Sequence, residues 1–137
     1  MNEQVAAALA AEEAAIYAYG IIGVELPEGA QVTEARAAEQ AHRDRRDYLV
    51  GKVDQPRTSP AGYRMPFPVT DRGTALKLAI HVEDGVAQAW RPVLAATQDA
   101  DRMTALAAMT DAAVRATRWR RLAAVSPATM AFPGRAE

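Results

Sequence analysis

Four side chains of this sequence could hold a cation together: Glu12, Glu39, His42 and Glu83. Iron, manganese and zinc accept carboxylate oxygens and an imidazole nitrogen in one site. Glu39-x-x-His42 puts its two groups on one face of a helix, where they can share a metal. That pattern is common by chance, and its placement is the more specific signal. At about 100° per residue, Val5, Leu9, Ile16 and Tyr19 share a stripe of one helix, with Glu12 in its middle and Glu13 at its margin. In a second helix Ala35, Ala38, Leu49 and Val53 mark the stripe, and Glu39, His42 and Arg46 occupy its gaps. In a third the stripe is Leu76, Ile80, Ala87, Trp90 and Leu94, with Glu83 at its centre and His81 on the opposite side. Three successive helices therefore place Glu where Leu would be expected. A lone buried carboxylate is costly, so these groups need partners. A single iron, manganese or zinc ion is one solution. A buried ion-pair network without metal is the other, with Arg46, Arg118 and Asp111 as its expected members. The fixed fork of arginine suits carboxylates bidentately.

Four helices and their connections must position these groups. The chain has 137 residues, enough for one ordinary domain spanning 1–137, and half of them are hydrophobic. About a quarter are alanine and 6% are aromatic, a composition that favours helices in close approach. Pro and Gly divide the chain into helices at about 3–23, 33–53, 71–97 and 101–125, with Asn2, Thr33 and Thr70 or Asp71 as N-caps. Pro92 should kink or end the third helix. The fourth helix lacks one clear stripe: Leu106, Thr110, Ala113 and Thr117 compete with Ala107, Val114, Arg118 and Val125. The first and third connections are short, so their flanking helices are antiparallel neighbours. The second, Asp54 to Val69, holds Pro56, Pro60, Pro66 and Pro68 and should be extended. About 16 extended residues reach about 50 Å, whereas a helix of about 21 residues is about 31 Å long. One long crossover between helices 2 and 3 is the connectivity of a ferritin-like four-helix bundle, an all-α fold.

Several function classes are excluded. The net charge of −1 argues against a surface built for nucleic acid. The absence of cysteine removes disulfides, thiolate metal sites and cysteine nucleophiles, and two histidines cannot make a His-rich metal site. No basic n-region precedes an apolar run at the N-terminus, and no stretch of 18 uninterrupted apolar residues occurs. The expectation is a cytoplasmic protein with no membrane segment. The arginines at 115, 118, 120 and 121 project around most of their helix, near a C-terminus that favours cations. They read as solvated or internally paired. No phosphate loop, nucleophile triad or zinc motif is present.

The crossover, Glu12, Glu39-x-x-His42 and Glu83 resemble the ferritin-like superfamily. The segments Ala11-Glu12-Glu13-Ala14-Ala15-Ile16-Tyr17-Ala18-Tyr19-Gly20, Pro66-Phe67-Pro68-Val69-Thr70-Asp71 and Ala131-Phe132-Pro133-Gly134 resemble an actinobacterial ferritin-like domain family of unknown function. The resemblance covers essentially the whole chain. It implies a bundle with a di-iron or di-manganese site, to which helix 1 would give Glu12, helix 2 Glu39 and His42, and helix 3 Glu83, with Tyr19 beside the ligands. Helix 4 departs from the pattern: at Asp111-Ala112-Ala113-Val114, valine stands where the second histidine belongs. Two functions follow as expectations. The first is a non-catalytic binding or assembly module with a degenerate metal site, forming a homodimer through Tyr48, Val82 and Trp119. The second is a metal-dependent oxidoreductase or oxygen-handling protein.

Overall fold

Four helices make up the architecture of the computed structural model, which describes residues 2–54, 60 and 62–136. They are α1 (Asn2–Glu25), α2 (Ala30–Val50), α3 (Arg72–Ala96) and α4 (Asp99–Leu122), and no strand occurs among the described residues. The all-α bundle agrees with the sequence-based expectation. Of the prolines expected in the second connection, Pro56 lies outside the described residues.

Local chemistry sets the helix ends. α3 starts where Asp71 forms a capping box: its carboxylate accepts from the Thr74 N–H at 2.8 Å, and the Thr74 hydroxyl accepts from the Asp71 N–H at 3.1 Å. α2 starts at Ala30, earlier than the expected Thr33. Gly29 adopts a φ of 116°, and its carbonyl oxygen accepts from the Thr33 N–H at 3.0 Å, which draws Thr33 into the first turn. α3 passes through Pro92 and continues to Ala96. In α4, Asp99 and Asp101 lie in the first turn and Arg120 and Arg121 in the last, matching the helix dipole at both ends.

Two apolar clusters fix the packing. One joins Val5 and Leu9 of α1, Leu49 of α2, Trp90 and Val93 of α3, and Ala105 and Ala108 of α4. The other joins Ile22 of α1, Val32 and Ala35 of α2, Leu76 and Ala79 of α3, and Trp119 of α4. The start of α1 thus meets the ends of α2 and α3 and the start of α4. So α1 and α4 point one way, and α2 and α3 the other. The described residues of the segment before α3 lie against the helices: Tyr63 packs on Tyr17, and Phe67 meets His81 edge-on. Met65, Phe67 and Val69 pack against the second cluster.

Helix α1 packs on α2 and α3, and α3 packs on α1 and α4. The α2–α4 side is bridged by longer side chains. Arg45 pairs with Asp111 at 2.9 Å, and Asp101 receives the Tyr48 hydroxyl and, at 3.0 Å, the Lys52 ammonium. Among the described residues, the helical segment Glu3–Glu25 is long and apolar enough (mean hydropathy 1.4) to cross a membrane by length and composition only. Half of that span is buried inside the bundle.

The α4 seam corrects the sequence reading. Its buried residues are Ala105, Ala108, Ala112, Ala116 and Trp119, whereas Leu106 and Val114 are exposed. Neither competing stripe faces the core, because small alanines line the close contact and the bulkier residues point outward. Trp119, expected on an outer surface, is fully buried, and Val82 packs against both clusters. Tyr48 packs against the first cluster with its hydroxyl on Asp101. Trp119 therefore cannot lie on a dimer surface, whereas Tyr48 and Val82 are only partly buried.

Candidate functional site

Between the two apolar clusters lies a polar centre built by all four helices. Glu12 of α1, His42 of α2 and Glu83 of α3 are at most 1% exposed. His42 donates from Nδ1 to Glu12 Oε2 at 2.5 Å and from Nε2 to Glu83 Oε2 at 2.9 Å. The remaining oxygen of Glu12 accepts from the Trp90 indole N–H at 2.7 Å. The remaining oxygen of Glu83 accepts from Arg115 Nε of α4 at 3.1 Å. Tyr19 donates its hydroxyl to Glu83 at 2.5 Å and accepts from the Trp119 indole at 2.9 Å. Its ring stacks on the His42 imidazole with centroids 5.6 Å apart. One continuous chain of hydrogen bonds thus runs from Trp119 through Tyr19, Glu83, His42 and Glu12 to Trp90.

Electrostatics follow from this geometry. Both nitrogens of His42 face carboxylate oxygens, so both must donate, and only an imidazolium can do that. Burial works against the charge, but hydrogen bonds and attraction from Glu12 and Glu83 prevail and raise the His42 pKa to about 9. Burial would raise Glu83, yet the hydrogen bond and charge of His42, together with Arg115, hold it below the usual carboxylate range. Burial and the neighbouring Glu83 charge push the Tyr19 hydroxyl well above its ordinary value. The centre therefore holds two carboxylates against an imidazolium and a guanidinium, and its charges cancel.

The sequence-predicted residues separate into two groups. Glu12, His42, Glu83 and Tyr19 come together. Glu39 does not join them: it is 31% exposed and pairs with Arg43 one turn along at 3.3 Å. The buried line of α2 runs through Ala35, Ala38, His42 and Leu49, and position 39 lies beside it. The expected network of Arg46, Arg118 and Asp111 is also corrected. Arg46 pairs with its neighbour Asp47, Asp111 is exposed and pairs with Arg45, and Arg118 is exposed. Arg115 supplies the guanidinium instead, and Trp90 and Trp119 supply donors. A signal for both α4 residues exists in the spacing: Ala105, Ala108, Ala112, Arg115, Trp119 and Leu122 follow one another at alternating steps of three and four, the register of a helix seam.

A metal does not fit this donor set. Glu12 and Glu83 lie against opposite nitrogens of the imidazole, so their oxygens do not converge with one histidine nitrogen on a common point. Each carboxylate oxygen already accepts from an N–H donor. Among the described residues, no three His, Asp or Glu side chains are grouped to hold an ion. The centre is also closed off from solvent, since Glu12, His42 and Glu83 are all but fully buried.

A family described as a domain of unknown function, DUF4439, matches residues 4–137. The chain belongs to that family. Its fold is similar to the crystal structure of a conserved hypothetical protein, rv2844, from Mycobacterium tuberculosis, with a TM-score of 0.81 and 38% identity. That likeness covers 88% of this chain and 95% of the other. No curated protein matches the chain.

Proposed function

We propose that this DUF4439 chain is a non-catalytic binding or assembly module on a ferritin-like scaffold, with an ion-pair centre in the place a metal site would take. The observation that carries the reading is the charge balance: Glu12 and Glu83 are neutralised by His42 and Arg115, with every carboxylate oxygen satisfied. A buried cation would add uncompensated charge and would have to displace four donors. The antiparallel α1–α2 and α3–α4 pairs, with α2 and α3 pointing the same way, support the ferritin-like assignment.

Metal analysis of the purified protein, followed by calorimetric titration with iron(II), manganese(II) and zinc(II), tests this. The expected result is no stoichiometric metal and a melting temperature indifferent to chelator. Stoichiometric binding lost in His42→Ala would overturn it, and iron-dependent oxygen consumption lost in the same variant would favour the metal-dependent oxidoreductase reading instead.

The assembly part of the proposal is a homodimer. Met103 and Leu106, exposed one turn apart on α4, stand as interface residues in place of the buried Trp119. Sedimentation velocity at micromolar concentration should show a dimer that Leu106→Lys dissociates. A monomeric wild-type protein overturns this part.

A further inference from the structure

The polar centre leaves one built feature of the molecule unexplained. The chain after α4 turns back and lies across α3 and α4, and a groove of about 470 Å³ opens between this tail and the two helices. Gly134 seats the tail. Its φ is 79°, and a Cβ there would lie 2.8 Å from the Ala87 carbonyl oxygen and 3.2 Å from Met109 Sδ. Only glycine meets both demands, so the wall formed by Met130, Pro133 and Gly134 rests directly on the helix backbone.

The groove has two chemistries. Its lining is mainly apolar, with Ala113, Val114, Met109 and Met130 among the contributors. Arg118 and Arg121, one turn apart on α4, line it as well. Both are exposed, and neither makes an ion pair among the described residues. The intervening Arg120 is already committed to Asp84. Arg135 of the tail, its guanidinium over the Phe132 ring, lines the groove too. An apolar channel whose α4 guanidinium groups at 118 and 121 have no ion-pair partner among the described residues calls for a ligand that is apolar over most of its length and anionic at one end. The volume lies within the range of small-molecule sites, and residues of the tail form part of the groove's wall.

We propose that the groove between α3, α4 and the C-terminal tail binds a small amphiphile: an alkyl chain bearing one anionic head, carboxylate or phosphate. The head lies against Arg118 and Arg121, and the chain runs along Met109 and Met130 beneath Pro133. The assignment names a ligand class for the binding-module reading and rests on it. Metal analysis tests that reading, whereas amphiphile titration tests this one.

The experiment titrates the full chain with laurate and with dodecyl phosphate, below their micellar concentrations, by calorimetry. Dodecanol serves as the neutral control and inorganic phosphate as the head alone. Saturable binding of at least one amphiphile at one site per chain is expected, and the tighter of the two names the head. The Arg118→Glu, Arg121→Glu double variant should weaken it by about tenfold or more, because two charge-assisted contacts become repulsive. Both positions are solvent-exposed, so the variant should keep the wild-type helical circular dichroism. Gly134→Val should abolish binding by displacing the wall. Dodecanol binding as tightly as the anions, undiminished binding in the double variant, or no binding of either amphiphile overturns the proposal. So does capture of an acidic peptide by a groove that ignores both amphiphiles.

Discussion

His42 is held as a cation by two carboxylates that have no other route to neutrality than His42 and Arg115. Its pKa rises from 6.5 in the unfolded chain to about 9 in the fold. A raised pKa means that the folded state binds the proton more tightly, so the stabilisation is complete below pH 6.5 and is lost as pH climbs through about 9. The shift corresponds to a contribution on the order of 3 kcal/mol. Glu83 acts in the opposite sense. Its lowered pKa contributes stability that is present above pH 4.5 and is lost as pH falls below that value. Urea unfolding of the wild type should therefore weaken steadily between pH 6.5 and about 9, whereas His42→Gln starts less stable and shows a much flatter profile. The gap between the two proteins should close with rising pH. A gap that stays constant across that window would mean that His42 is not the titrating group.

Helix ends and helix faces were legible in the sequence to different degrees. The start of α3 was visible because Asp71 caps through its own side chain, and residue type reveals that chemistry. Asp71→Ala should destabilise the fold by about 1 kcal/mol in urea unfolding, with the loss confined to the first turn of α3 in hydrogen exchange. Protection that is unchanged at residues 72–75 would contradict this. The start of α2 was harder, because Gly29 works through a backbone angle that a glycine permits but does not announce. The face of α4 was hardest. Its seam consists of alanines, which any stripe analysis counts as weak, and it is completed by an arginine that looks like a surface residue. On α1 and α3 the seam carries Leu, Val and Trp, so Glu12 and Glu83 stood out against them. Glu39 was misplaced because a spacing of three residues leaves a side chain beside the buried line as readily as on it.

At the scale of the whole molecule, the bundle is two apolar clusters separated by a charged waist. The composition made the four helices legible, but not how the waist is satisfied. That depended on which helix 4 side chain faces inward, and rotation of an alanine-rich helix is decided by packing. Trp90 belongs to one cluster and Trp119 to the other, and each indole donates into the waist from its own side. These are the chain's two tryptophans. The protein therefore carries a built-in optical probe: all of its indole emission arises at the two ends of one hydrogen-bonded chain. Any event that protonates, rearranges or opens the buried charges is written directly into the colour and intensity of its own fluorescence.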